Sequence, residues 1–213
     1  MSGFEVYNES GKITVDSDNR GTLFYDQRAL GTVQSKGAYR IDSPFGDGST
    51  LGYTPQEFWN DGHLRWLQLS PNKYGMPGAE ILEDYAGMMI RTSRNAALES
   101  GYLDVFNGAG ELIWSAVSAS KMPRIMGFFD VPPGYDLQNN TFIVTPGFNP
   151  WILVNNCPGN LSDDGTVVGY SGITLKWTGS QLQGRYISKN QKSWGQTLQN
   201  QGIRIPLAQF VGI

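Results

Sequence analysis

Short apolar runs cut by turn residues set the strongest limit on what this chain can fold into. Ile125–Phe129, Thr141–Thr145, Trp151–Asn155, Thr166–Tyr170, Ile173–Thr178 and Gly184–Ser188 each read as a strand. Between them stand Pro132-Pro133-Gly134, Pro146-Gly147, Cys157-Pro158-Gly159-Asn160 and Asp163-Asp164-Gly165. Helices of several turns do not survive such punctuation, because Gly and Pro are the poorest helix formers and the best turn formers. The chain carries 27 glycines in 213 residues, near 13% against a usual level of about 7%. Charged residues make up 16%, against about 25% in an ordinary domain. Aromatics at 12% supply apolar surface that a disordered chain lacks. The expectation is a mostly β protein, of β-sandwich or jelly-roll-like units with short helical or irregular insertions.

The first half supports the same class. Phe4–Tyr7, an Asn8-Glu9-Ser10-Gly11 turn and Ile13–Asp16 predict a hairpin. The pattern returns 99 residues on: Val6, Tyr7, Asn8, Gly11, Ile13 and Val15 align without a gap on Val105, Phe106, Asn107, Gly110, Leu112 and Trp114. Duplication would explain this, giving a β-rich unit over residues 1–98 and a sandwich-like unit over 99–213 that could pack as one domain. Turn chemistry alone would also explain it, since nothing beyond these residues aligns. Leu64–Leu69 predicts a strand. Ala79–Ile90 predicts either a short helix or a strand from Tyr85, with Gly87 weakening the helix. The apolar end, Ile203–Leu207 and Phe210–Ile213, predicts a last strand or a segment docked on a neighbour.

The net charge of −3 offers no footprint for nucleic acid. It hides a split. Residues 1–164 hold 11 basic and 19 acidic side chains, a balance of −8, whereas residues 165–213 hold five basic and none acidic. Two regions of opposite sign attract each other, within one chain or between subunits. The single cysteine, Cys157, permits no intrachain disulfide. The opening MSGFEVYNESGK has no secretory pattern, and no apolar run is long enough to insert in a bilayer as a helix. Synthesis in a cytoplasm without export is the expectation.

Chemistry-bearing motifs are sparse. His63 is the only histidine, so any nucleophile–histidine pair must use it. Ser171, in Gly-Tyr-Ser-Gly, lacks the spacing of a nucleophile elbow. Asp16, Asp18 and Asn19 form a local oxygen cluster without the glycine and distal glutamate of a calcium loop. Glu80, Glu83 and Asp84, or Asp163 and Asp164, are the available carboxylate pairs for hydrolysis, but a solvated face and a turn explain them better. No cofactor or metal signature is present. Of six tryptophans, most are expected in the core. Trp194, set among Asn, Gln and Lys over residues 189–201, is the one that could form a sugar-binding platform.

Residues Gly3–Ser17 resemble the opening of a group of small, β-rich proteins of tailed bacteriophages: an alternating strand ending in an aromatic-Asn pair, an x-x-Gly turn, and a return strand closing on Asp-Ser. The likeness reaches to about Arg20. It implies a virion-associated structural component, most simply of the tail or its appendages, with no enzymatic activity. Its partners would be other copies of itself and other virion proteins, with no nucleic acid and no membrane insertion. The alternative is a carbohydrate-binding sandwich meeting host-surface glycans, and a weaker one is a polysaccharide hydrolase. Candidate interface residues are Arg185, Lys189, Lys192, Trp194, Arg204, Ile205, Leu207, Phe210, Val211 and Ile213.

Overall fold

The structure, a computed structural model, describes residues 5–7, 13–16, 20–33, 41–53, 62–211 and 213. The first half contributes β1 (Glu5–Tyr7), β2 (Ile13–Asp16), β3 (Leu23–Ala29), β4 (Ile41–Asp42), β5 (Thr50–Tyr53), β6 (Leu64–Leu69), β7 (Tyr74–Met76), β8 (Ile81–Leu82) and β9 (Gly87–Ser93). The second contributes β10 (Asp104–Phe106), β11 (Leu112–Ser115), a one-turn helix α1 (Ala116–Ala119), β12 (Arg124–Val131), β13 (Phe142–Val144) and β14 (Trp151–Leu153). It ends with β15 (Gly159–Asp163), β16 (Val168–Trp177), β17 (Leu182–Lys189) and β18 (Ile203–Gln209). The fold is mostly β, as the punctuation predicts.

Two antiparallel sheets pack face to face. One runs β12-β18-β14-β6-β9-β3 and the other β13-β17-β16-β7-β8-β5-β4, with β15 added beside β16. Between them lies a core drawn from both: Leu67, Met89, Phe129, Ile152, Ile205 and Leu207 from the first sheet, Leu82, Ile173, Leu175, Trp177 and Leu182 from the second. Alternation along each strand makes this possible, since successive side chains point to opposite faces. Met89 enters this core while Met88 joins a cluster on the outer face of the first sheet, with Trp66, Ile90, Trp151, Leu153 and Ala208.

The first sheet reads alike from either end, since exchanging β3, β9 and β6 for β12, β18 and β14 maps it onto itself; in the second, exchanging β7, β8 and β5 for β16, β17 and β13 maps those six strands onto themselves and leaves β4 and β15 without counterparts. The exchanges preserve chain order. The hairpins agree as well. Glu5, Val6 and Tyr7 face Asp16, Val15 and Ile13, while Asp104, Val105 and Phe106 face Ser115, Trp114 and Leu112. The bulge falls at Val6/Tyr7 in one and at Val105/Phe106 in the other. Each hairpin precedes an edge strand of the same sheet, β3 or β12. Strands from residues 1–98 and from 99–213 meet in the middle of both sheets, at β6·β14 and β7·β16.

Two local readings change, and the two alternatives for Ala79–Ile90 resolve in favour of the strand. Ala79–Ile90 holds no α-helix: Pro77–Ala79 is a 3-10 turn, Glu80 and Tyr85 have φ of 62° and 51°, and β8 and β9 follow. The two strands expected at Thr166–Tyr170 and Ile173–Thr178 merge into one long strand, β16, over Val168–Trp177. Gly172 is there for packing, since a Cβ on it would lie 2.7 Å from the Gly159 Cα and 2.8 Å from the Met76 Sδ. Gly159-Asn160, expected in a turn, instead begins β15. The Asn8–Gly11 turn lies outside the described residues.

Candidate interaction surface

The expected interface residues separate into core and surface. Trp194 is fully buried, its ring centroid 5.3 Å from that of Tyr186 and its indole N–H donating to the Tyr135 carbonyl at 2.6 Å. Ile205 and Leu207 are buried on β18, whose neighbours β12 and β14 hold it in the sheet. All three are therefore corrected to core residues, and the platform that Trp194 would have offered a sugar does not form. Local polarity misled the reading at Trp194: residues 193–202 coil back so that their polar side chains face outward around one buried indole. Arg185 is tied into the fold, donating to the carbonyls of Pro44 and Gln138 at 2.9 Å each. Phe210 stands edge-on to both Trp66 and Trp151, at 5.9 Å and 5.7 Å, so the chain end docks on its own outer sheet face. Lys189, Lys192, Arg204, Val211 and Ile213 are exposed.

The remaining chemical candidates are occupied structurally. Glu83 accepts from the Lys73 ammonium at 2.9 Å and from the Tyr74 amide at 3.3 Å, while Asp84 accepts from the Val33 amide at 2.7 Å. Asp163 and Asp164 bond the amides of Gly165, Thr166 and Val167 and so close the β15–β16 turn. His63 stacks beside Tyr25 at 4.4 Å. Burial pushes the Cys157 thiol up to about 12, the opposite of what a nucleophile needs. Burial likewise lifts the Glu80 carboxyl to about 7, against the pull of the Arg65 guanidinium. Burial also raises the Asp47 carboxyl, but hydrogen bonds from Lys176, Ser43 and the Ser49 amide outweigh it and bring the group down to about 2. Among the described residues no group of three or more His, Cys, Asp or Glu could hold a metal ion. Asp18 and Asn19 lie outside those residues. A shallow pocket of about 410 Å³ lies beside β3, lined by Leu23, Phe24, Tyr25, Lys121 and Ile213 among others.

What the surface does carry is apolar side chains, which among the described residues lie mostly in the second half. Ile125, Met126 and Phe128 on β12, Ile143 on β13, and Leu103 and Phe106 at the β10–β11 hairpin are all exposed. β12 and β13 are the edge strands at the same end of the two sheets, and Phe129 and Phe142 meet edge-on between them at 5.3 Å. The Arg204 guanidinium lies 3.9 Å over the Phe128 ring and 3.6 Å from Asp130. Sequence reasoning placed the interface at the chain end and missed β12, although the run Arg124-Ile-Met-Gly-Phe-Phe-Asp-Val131 carries a signal. Apolar residues at consecutive positions of a strand must expose some of them when only one face is covered.

A family model described as Domain of unknown function (DUF8377) matches residues 1–212. No curated protein and no solved structure matches the chain.

Proposed function

We propose that this chain, which belongs to the DUF8377 family, is a non-enzymatic assembly subunit that acts through subunit–subunit surfaces. The observation that carries the reading is the set of exposed large apolar side chains on the edge strands β12 and β13, Ile125, Met126, Phe128 and Ile143. A monomer in water gains nothing from such a set, whereas an assembly buries it. The structural use of Glu83, Asp84, Asp163 and Asp164, and the inert state of Cys157, speak in the same direction. The setting we infer is the virion of a tailed bacteriophage, in the tail or its appendages. The resemblance of the opening residues supports that setting, and so does the low charge, because interface centres are depleted in charged residues.

The test is direct. Particles purified from the source lysate, analysed by quantitative mass spectrometry and labelled with an antibody in the electron microscope, should contain the chain at a fixed copy number in the tail region. Its absence from washed particles overturns the virion assignment.

A further inference from the structure

We propose that the pocket beside Trp151, on the outer face of the first sheet, binds a neutral, hydroxyl-rich ring, a saccharide unit. The inference goes beyond the assembly reading and does not depend on it.

The pocket has a volume of about 360 Å³ and lies where β6, β14 and the end of β18 come together. Its wall combines the aromatic rings of Phe148, Trp151 and Phe210 with the amides of Gln68, Asn149 and Gln209. Among the described residues no charged side chain lines it. Such a wall offers no countercharge to a phosphate or a carboxylate. It suits a neutral molecule with an apolar face and polar edges.

The hydrogen bonds say which polar edge is wanted. The Asn149 side-chain nitrogen donates to the Leu69 carbonyl at 3.1 Å, which fixes the orientation of the amide. Its Oδ1 is then a buried acceptor with no hydrogen-bond partner among the described residues. The Gln68 side-chain nitrogen donates to the Asn149 backbone carbonyl at 3.0 Å and holds the same loop. A buried acceptor left unpaired costs about 1–3 kcal/mol, and a ligand hydroxyl reaching Asn149 Oδ1 removes that cost. A sugar ring meets both demands. Its hydroxyls donate, and its C–H groups pack on aromatic rings, whose faces carry partial negative charge.

The internal symmetry of the sheet marks this place as specialised. Leu67 on β6 pairs with Ile152 on β14. A two-fold exchange of β6 and β14 about this pair carries Trp66 onto Trp151, each one residue before the central pair. Leu153 faces Trp66, and the same register sets Gln68 opposite Trp151. Leu64 stands two residues before Trp66, and Asn149 two residues before Trp151. One tryptophan is thus flanked by leucines and its equivalent by amides. Leu64 and Leu153 join the apolar cluster around the buried Trp66. At the matching positions beside Trp151 the chain places polar groups and leaves a pocket. Burial alone favours leucine at both places, whereas a ligand with hydroxyls accounts for the amides at one.

The experiment is heteronuclear NMR on the full chain, titrated to millimolar concentration with the methyl glycosides of glucose, galactose, mannose and N-acetylglucosamine in turn. At least one glycoside should shift the Asn149 and Gln68 side-chain amide signals and the Trp151 indole signal in a saturable way. Asn149→Ala and Phe148→Ala should each weaken that binding by about tenfold or more, while Phe128→Ala on β12, outside the pocket, should leave it unchanged. Near-ultraviolet circular dichroism checks the fold of each variant, and Gln209→Trp, which fills the pocket, replaces Asn149→Ala if that chain does not fold. No response to any of the glycosides, shifts confined to other residues, or binding that survives the pocket variants would each overturn the proposal. A response to an ordered water alone, seen as an Asn149 signal that no glycoside moves, does the same. Particle analysis keeps the two readings apart. A chain that binds a glycoside but is absent from particles keeps the pocket and removes the virion role. A chain present in particles that ignores every glycoside removes the pocket alone.

Discussion

Trp194 donates its indole N–H to the backbone carbonyl of Tyr135 at 2.6 Å, while its own backbone amide donates to the Gln138 side chain at 2.9 Å. A residue in the most polar stretch of the chain thus seals one end of the core. Trp194→Ala should lower stability by about 3–5 kcal/mol, the usual cost of emptying so large a site, measured as a shift in the denaturant midpoint. An unchanged midpoint would mean that the indole is a surface group after all.

Trp66 is also buried on the outer face of the first sheet, and its indole N–H reaches the Thr92 hydroxyl at 3.2 Å. Thr92→Val keeps the shape and strands the donor. The expected loss is about 1–3 kcal/mol, read by thermal or chemical unfolding. Thr92→Ser, which keeps the hydroxyl, should lose less, and an equal loss in the two variants would show that the hydrogen bond is not the cause.

Gly159 sits where β15 meets the Pro77–Ala79 turn, and a Cβ there would lie 2.4 Å from the Ala79 amide nitrogen. No side-chain rotation relieves a backbone clash. Gly159→Ala should therefore cost about 1–3 kcal/mol or more, while Gly31→Ala, at an exposed position where a Cβ would meet nothing within 4 Å, should leave the core signals of near-ultraviolet circular dichroism unchanged. Full native stability in Gly159→Ala would contradict the close approach.

Glu80 is half-buried with its carboxyl raised to about 7 from 4.5. The folded state holds that proton more tightly than the unfolded chain does. Its stabilising effect is complete below pH 4.5, falls away between there and pH 7, and is gone above. Unfolding midpoints of the native chain should decline over that window, and Glu80→Gln, which cannot ionise, should flatten the decline. Parallel pH profiles for the two proteins would show that the carboxyl is solvated.

The chain end divides at Phe210. Removing residues 207–213 takes away Leu207 and Ala208, both buried, together with the ring that Trp66 and Trp151 enclose. That chain should fail to fold, so its absence from particles would say nothing about docking. Ending the chain after Phe210 removes the exposed Val211 and Ile213 and should shift the unfolding midpoint by little. Loss of solubility in this shorter chain would contradict the assignment.

Much of the strand content was legible because it depends on local chemistry. The run Leu64–Leu69 became β6 at its predicted bounds, and Trp151–Asn155 and Ile203–Leu207 became β14 and β18 with shifts at their ends. Asp163-Asp164-Gly165 closes a turn with its own side chains, which sequence alone can show. The second hairpin was equally plain, since Asn107 holds its turn through bonds to the amides of Ala109 and Glu111. The interface was less legible. Ile205 and Leu207 look like an apolar tail in one dimension, and only their pairing between β12 and β14 puts them inside. Gly172 looks like a turn signal until Gly159 and Met76 are seen pressed against it.

The amino-acid order therefore settles which segments extend and where they turn, because backbone propensity and side-chain alternation act over a few residues. It also contains the repeated hairpin phrase, whose meaning is ambiguous in one dimension. The tertiary structure decides which strands lie in the middle of a sheet and which at its edge, since burial follows from pairing partners far apart in the chain. That is why Trp194 and Leu207 turn inward while Met126 and Phe128 stay in water. It is also why two hairpins of one pattern prove to precede the two edge strands of one sheet, β3 and β12.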